Sequence, residues 1–195
     1  MPSPGPGEPR KATRPRDAEG TRAALLDAAQ VLFSTRGYAH TGVREVAERC
    51  GVNPALVIRY FGSKEGLFRE TLERSSVSQI LGGDRRRFGR DLMEAVLGHE
   101  EDASSPIAIM MLSAADPAAH AASVDFLRTK LIAPLAEWLG PPDGAGRAAR
   151  ISILWMGFLT NWKLLPIEPL APEHLASTRR WLETTTQAIV DEGER

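Results

Sequence analysis

The sequence predicts an all-α protein. Three observations carry that prediction. Apolar residues recur at three-to-four spacing from Asp17 onward. No stretch alternates apolar and polar as a strand would, and no segment repeats. Glycines and prolines fall between the periodic segments, where helices must stop and start. At 195 residues, with 43% apolar and 25% charged side chains, the chain has the composition of a soluble globule. It is long enough to bury a sizeable core without staples.

Residues 1–16 carry five prolines and two glycines, which no regular element tolerates, so a disordered arm is expected there. Its basic residues, Arg10, Lys11, Arg14 and Arg16, suit either a solvated tail or a DNA backbone. The first helix follows from Asp17, with Leu25, Ala28, Ala29 and Leu32 on one face and Phe33 beside them. Gly37 should close it in a left-handed cap. Val43, Val46, Ala47 and Cys50 mark a short second helix, ended by Gly51. Asn53 caps a third, and Pro54 sits in the first turn, where proline is accepted. Leu56, Val57, Tyr60 and Phe61 carry it to Gly62. Ser63 caps a fourth helix, expected to reach about Leu81, a span of about 28 Å. Five further helices are expected, giving about nine. They cover 85–98, 106–115, 117–139 with a kink at Pro134, 145–165, and 173–191.

Several function classes are excluded early. The single cysteine, Cys50, cannot build an intramolecular disulfide framework, and a reducing cytoplasm is the expected setting. No 18-residue apolar run offers a membrane span, and the N-terminus lacks the apolar core of a signal peptide. His40, His99, His120 and His174 are scattered, and no Glu-x-x-His pair, phosphate-cradling glycine loop or G-x-S-x-G motif occurs. An enzyme is therefore not expected, nor a metal or cofactor. The charge is uneven. Residues 1–64 hold ten basic and six acidic side chains, whereas the rest is net acidic. A basic front suits an anionic partner.

The stretch from Val43 to Phe61, VREVAERCGVNPALVIRYF, carries the chemistry. Counting Val43 as one, Ala47 is fifth and Gly51 ninth. Val46, Cys50, Val52 and Val57 fill the fourth, eighth, tenth and fifteenth places, and Tyr60 the eighteenth. Two short helices that cross steeply need a small residue at the crossing and a positive-φ residue in the turn. Val52 would plug their corner, while Val57 and Tyr60 would hold the second helix in place. Pro54, Ala55, Ile58 and Arg59 then face outward, as a helix entering a major groove requires. An ordinary αα-hairpin is the alternative for this stretch.

These residues, together with LFSTRGY, Thr41 and YFGSKEGLF, resemble the N-terminal DNA-binding domain of the tetracycline-repressor (TetR) family of bacterial regulators, over roughly residues 21–72. The resemblance implies a DNA-binding domain at 17–64 and a helical regulatory and dimerisation domain at 65–195. It implies base reading by Arg44 and phosphate contacts by Thr41, Asn53, Tyr60 and Lys64. Two departures stand out. Ile58 occupies a place usually held by tyrosine, and Gly42 replaces the usual Ser/Thr cap of the second helix. The partners implied are a double-stranded DNA operator, a second copy of the chain and a small-molecule effector. A repressor released by that effector is the leading reading, with a ligand-independent regulator or an activator as the alternative.

In the body, the segment 145–165 is apolar on nearly all sides, and the last helix carries an apolar stripe. Leu159, Leu175, Trp181, Thr185 and Ile189 are candidates for an isologous four-helix dimer interface, or else for monomer core. Met110, Met111, Phe126, Trp155, Phe158 and Trp162 are candidates for an apolar ligand cavity, with plain core as the alternative. The acidic run His99–Asp102 is expected to be a solvated loop end.

Overall fold

The computed structural model describes residues 15–74, 81–97, 106–170 and 174–194, and every regular element among them is helical. The proline-rich start, the run 99–102 and the expected far end of the fourth helix at 75–80 lie outside the described residues.

The first helix, α1 (Pro15–Arg36), starts two residues before the expected Asp17. Proline at a helix start gives up only an N–H that had no partner anyway. Three short helices follow: α2 (Val43–Arg49), α3 (Pro54–Phe61) and α4 (Lys64–Glu73). Then come α5 (Phe88–Leu97), α6 (Pro106–Ser113), α7 (Pro117–Phe126) and α8 (Ala133–Leu139). The last two are α9 (Gly144–Leu159) and α10 (Leu175–Asp191). α7 and α8 form one rod, joined by a π-helical stretch at Leu127–Ile132. Pro134 has no N–H to offer the preceding turn, and the widened turn ahead of it absorbs that loss. A second π-helical stretch, Thr160–Leu164, ends the α9 rod.

Two hydrophobic cores hold these helices. The first gathers Leu25, Leu32 and Phe33 of α1, Val46 and Ala47 of α2, Val57 of α3, and Leu67 and Phe68 of α4. It also takes Ile109 and Met110 of α6 and Phe126 of α7. The second joins Phe88 and Met93 of α5, Leu139 of α8, Ile151, Trp155 and Phe158 of α9, and Leu182 and Val190 of α10. Leu159 packs against both. The helices that carry the first core are thus not contiguous in sequence.

The second core is organised by arginine. Arg147 is only 1% exposed. Its guanidinium donates to the carbonyls of Val190 (3.1 Å), Leu139 (2.9 Å) and Gly140 (2.6 Å). Arg85 donates to Trp138 (2.7 Å) and again to Leu139 (3.0 Å), with its guanidinium 4.7 Å from the Trp138 ring centroid. The last carbonyls of a helix lack intrahelical partners and carry the negative end of its dipole. Two guanidiniums therefore cap α8, and Arg147 ties the end of α10 to the same point. Gln187 stitches α10 to the start of α5, accepting from Gly89 N–H (3.2 Å) and donating to the Arg85 carbonyl (3.0 Å).

Candidate nucleic-acid interface

The α2–α3 unit folds by short-range rules. Gly42 caps α2 without any side-chain hydrogen bond, as its missing hydroxyl requires. At the other end, Gly51 takes φ +65°, and its N–H donates to Glu48 carbonyl at 3.0 Å. Val52 N–H returns to Ala47 carbonyl at 3.0 Å, and the Val52 side chain packs on the first core. Ala47, at the crossing, is fully buried. The Cys50 thiol donates to Ala24 carbonyl at 3.3 Å, tying the end of α2 to α1. Burial raises its pKa above the ordinary thiol value.

α3 begins where Asn53 Oδ1 accepts from Ala55 N–H at 2.8 Å, with Pro54 in the first turn. Val57 and Phe61 point into the core. Ala55, Ile58 and Arg59 are exposed, Ile58 at 47%. Pro54 and Tyr60 are half-buried, and Tyr60 packs on the first core. Arg44, near the start of α2, is exposed. Thus α3 presents a small-residue N-terminal end and a basic side chain to solvent, and Arg44 of α2 is exposed as well. An α-helix about 10–12 Å across with its side chains is of a size that a major groove about 12 Å wide admits.

Lys64 opens α4, which follows α3 after Gly62 and Ser63. Ser63 caps the helix by accepting from Gly66 N–H at 3.0 Å. The Lys64 ammonium lies 4.1 Å from the Tyr38 ring centroid, a cation–π contact. Burial pushes its pKa down, partly offset by the Asp116 carboxylate. Ion pairs from Arg22 to Glu70 and from Arg74 to Asp27 (2.5 Å) bind α4 to α1. Arg69 to Asp125 (3.2 Å) and Lys130 to Glu73 (3.5 Å) bind it to the α7 rod.

Thr41 is placed differently from the expectation. It is 1% exposed, and its hydroxyl donates to Gly37 carbonyl at 2.9 Å. That side chain closes the α1–α2 loop and leaves no open face for a phosphate.

The six residues expected to line a cavity fall into separate groups, and only Trp155, Phe158 and Trp162 of them make ring contacts with one another. Met110 and Phe126 belong to the first core, Trp155 and Phe158 to the second, and Met111 is exposed. The Trp155 indole donates to Thr186 Oγ1 at 2.9 Å, a satisfied core hydrogen bond. Trp162 stacks on Phe158 with centroids 5.4 Å apart. A depression of about 40 Å³ beside Phe126, lined by Arg69, Glu73, Asp125 and Lys130, is far below ordinary ligand-pocket size. Of the expected interface residues, Leu159, Leu175 and Ile189 pack against the cores, and Thr185 is half-buried. Trp181 is 55% exposed, and Ile153 of α9, which the sequence reading left out of that set, is 72% exposed. An apolar side chain at the surface of a helix that otherwise fills a core has no local sequence signal.

Among the described residues no group of three or more His, Cys, Asp or Glu could hold a metal, and no helix is long and apolar enough to cross a membrane.

Comparisons with known proteins agree with this geometry. Residues 25–71 match the family model of bacterial regulatory proteins of the tetR family, and residues 87–190 match a tetracyclin repressor-like C-terminal domain. An HTH-type transcriptional repressor of Mycobacterium tuberculosis is 44% identical over 59 residues, covering 30% of this chain and 31% of that relative's length. An uncharacterised HTH-type transcriptional regulator of the same organism is 31% identical over 165 residues, covering 81% of this chain and 68% of the relative. The crystal structure of a TetR-family regulator from Streptomyces coelicolor superposes with a TM-score of 0.58 at 27% identity, covering 94% of this chain and 99% of that one. With one model matched across the helix-turn-helix and another across most of the body, the chain belongs to the TetR family of bacterial regulatory proteins.

Proposed function

We propose that this chain is a sequence-specific DNA-binding transcription regulator and not an enzyme. It binds a two-fold symmetric operator as a homodimer. The observation that carries this reading is the exposed face of α3, Ala55, Ile58 and Arg59, together with the exposure of Arg44 on α2. In this reading Arg44 grips a guanine edge, and Ile58 offers an apolar face to a thymine methyl. Asn53, Pro54, Tyr60 and Lys64 flank the backbone, with Lys64 at a helix N-terminus that also favours a phosphate. Residues 17–64 form the reading head, residues 65–195 the regulatory and dimerisation body, and the cytoplasm is where the chain meets its DNA.

Ile153 and Trp181 put large apolar surface on the outside of α9 and α10, which suits pairing with a second copy. Repression relieved by a small-molecule effector belongs to the same proposal. The two π-helical stretches in the body support it, since such turns are frequent at functional sites.

Selection of bound sequences from random duplexes tests the reading. A palindromic consensus is expected. Arg44→Ala should flatten preference at one base pair per half-site, at a cost of about 1–3 kcal/mol. Lys64→Ala should weaken all sequences alike and lower the salt slope by about 1. A wild-type protein that retains no duplex, or an unchanged consensus with Arg44→Ala, would refute the assignment.

A further inference from the structure

The Lys64 ammonium sits over the face of the Tyr38 ring, 4.1 Å from its centroid. That is well inside the distance of about 6 Å at which a ring's negative face attracts a cation. The ring is a fixed platform. It stacks on Phe33 with centroids 6.0 Å apart and meets Phe68 edge-on at 5.2 Å. Phe33 and Phe68 are fully buried and edge-on to each other at 5.2 Å, so the three rings form one closed cluster. The backbone of Tyr38 is held as firmly. Its N–H donates to Ser113 Oγ at 2.9 Å, across 75 residues of chain, and Ser113 is itself buried. Its carbonyl accepts from Thr41 N–H at 3.2 Å. Gly37, just before it, lies against the Leu112 carbonyl so closely that a Cβ there would come within 2.4 Å of the oxygen.

A lysine on an open surface samples many rotamers, and ordering it against a phosphate costs side-chain entropy. Lys64 has met part of that cost already, because its side chain is half-buried and its ammonium is seated on the ring. The kind of seat matters. A carboxylate partner would have to be given up before a phosphate could take its place. An aromatic face attracts the charge without an acceptor atom, so N–H donors turned away from the ring stay available.

We propose that Tyr38 is a positioning residue for the grip on the DNA backbone: its ring face pre-orders the Lys64 ammonium for a phosphate. It thereby raises affinity for every duplex alike and leaves the preferred sequence unchanged. This rests on the DNA-binding reading above and on Lys64 as a phosphate contact. Tyr38 reads no base and acts through Lys64.

The test varies the charge distribution of the ring and keeps its shape. The full chain is made with Tyr38→Phe, and then with phenylalanine carrying one, two or three ring fluorines at that position. Each fluorine draws electron density from the ring face and weakens its hold on a cation. Binding to a duplex of fixed arbitrary sequence is measured between about 50 and 200 mM KCl, with Lys64 present and in the Lys64→Ala background. Tyr38→Phe keeps the aromatic face and should bind within about twofold of wild type. The trifluorinated ring should weaken binding about threefold to tenfold, the range of one cation–π contact, with the intermediate rings falling in order. None of this trend should survive Lys64→Ala. A purely structural role for Tyr38 would move the melting temperature and give the same change in affinity with or without Lys64. Equal affinity across the series, tighter binding as fluorine is added, or a trend that persists in Lys64→Ala would overturn the proposal and leave the DNA reading intact. If Lys64→Ala alone changes neither affinity nor salt slope, the phosphate contact and this proposal fall together, and base reading by α3 stands. If wild type binds no duplex at any salt, the DNA reading falls and takes this proposal with it.

Discussion

The two cores are built from different kinds of interaction. The first sets its helix boundaries by short-range devices: glycine turns, a proline at a helix start, and side-chain caps two or three residues away. Its long-range polar links, Tyr38 to Ser113 and Arg69 to Asp125, tie finished helices together. The second depends on polar contacts between residues far apart in sequence, with Arg147 reaching 43 residues to Val190 and Trp155 reaching 31 to Thr186. A reading head must hold α3 in one orientation, and local rules fix a pair of short helices most cheaply. The body has long helices whose ends meet in the interior, so their unpaired carbonyls need donors from elsewhere. Arginine supplies several donors from one side chain, which is how Arg147 serves two helix ends at once.

Substitutions can break or sharpen this contrast. The largest effect is expected at Arg147→Met, which strips donors from three buried carbonyls. A loss of about 3 kcal/mol follows, or about 6–12 °C in Tm for a chain of this length, read by calorimetry. A loss under about 1 kcal/mol would show that Arg85 alone suffices to cap α8.

Gly37→Ala comes next. It forces a side chain into φ +72° and onto the Leu112 carbonyl. About 2 kcal/mol or more is expected by denaturant titration. Gly51→Ala is the control, because at φ +65° its Cβ would meet open space. It should cost about 1 kcal/mol, from backbone strain alone. Equal losses at the two glycines would mean that α6 does not press on the head.

Asn53→Ala should cost about 1 kcal/mol through the lost cap. If the N-terminal end of α3 enters the groove as proposed, the substitution should also weaken DNA binding by more than its effect on stability. Amide exchange localised to residues 55–57 would identify the cause.

Legibility in the sequence followed the same division. The glycine stops at Gly37 and Gly51, the Asn53–Pro54 start and the Ser63 cap all stand where local chemistry put them, and the break expected at Pro134 is met by the π-helical stretch just before it. Thr41 misled because a hydroxyl beside a DNA-binding helix looks the same in sequence whether it faces a phosphate or, as here, the Gly37 carbonyl behind it. The body aromatics are ambiguous for a similar reason, since a tryptophan whose indole is satisfied by Thr186 and one lining a cavity share the same helical spacing. Arg147 reads as one more surface basic residue near a helix start. Asp116 carried a legible signal, an acidic residue directly before Pro117 at a helix start, where it caps α7.

Because α6 and α7 contribute Ile109, Met110 and Phe126 to the same apolar interior as α1–α4, the head is not a detachable cassette. A graft that swaps only the segment before α5 onto a foreign body would leave Phe33, Leu67 and Phe68 facing surfaces never shaped for them. Chimaeras meant to redirect this regulator to a new promoter should exchange the outward residues of α2 and α3 alone, keeping the resident scaffold beneath them.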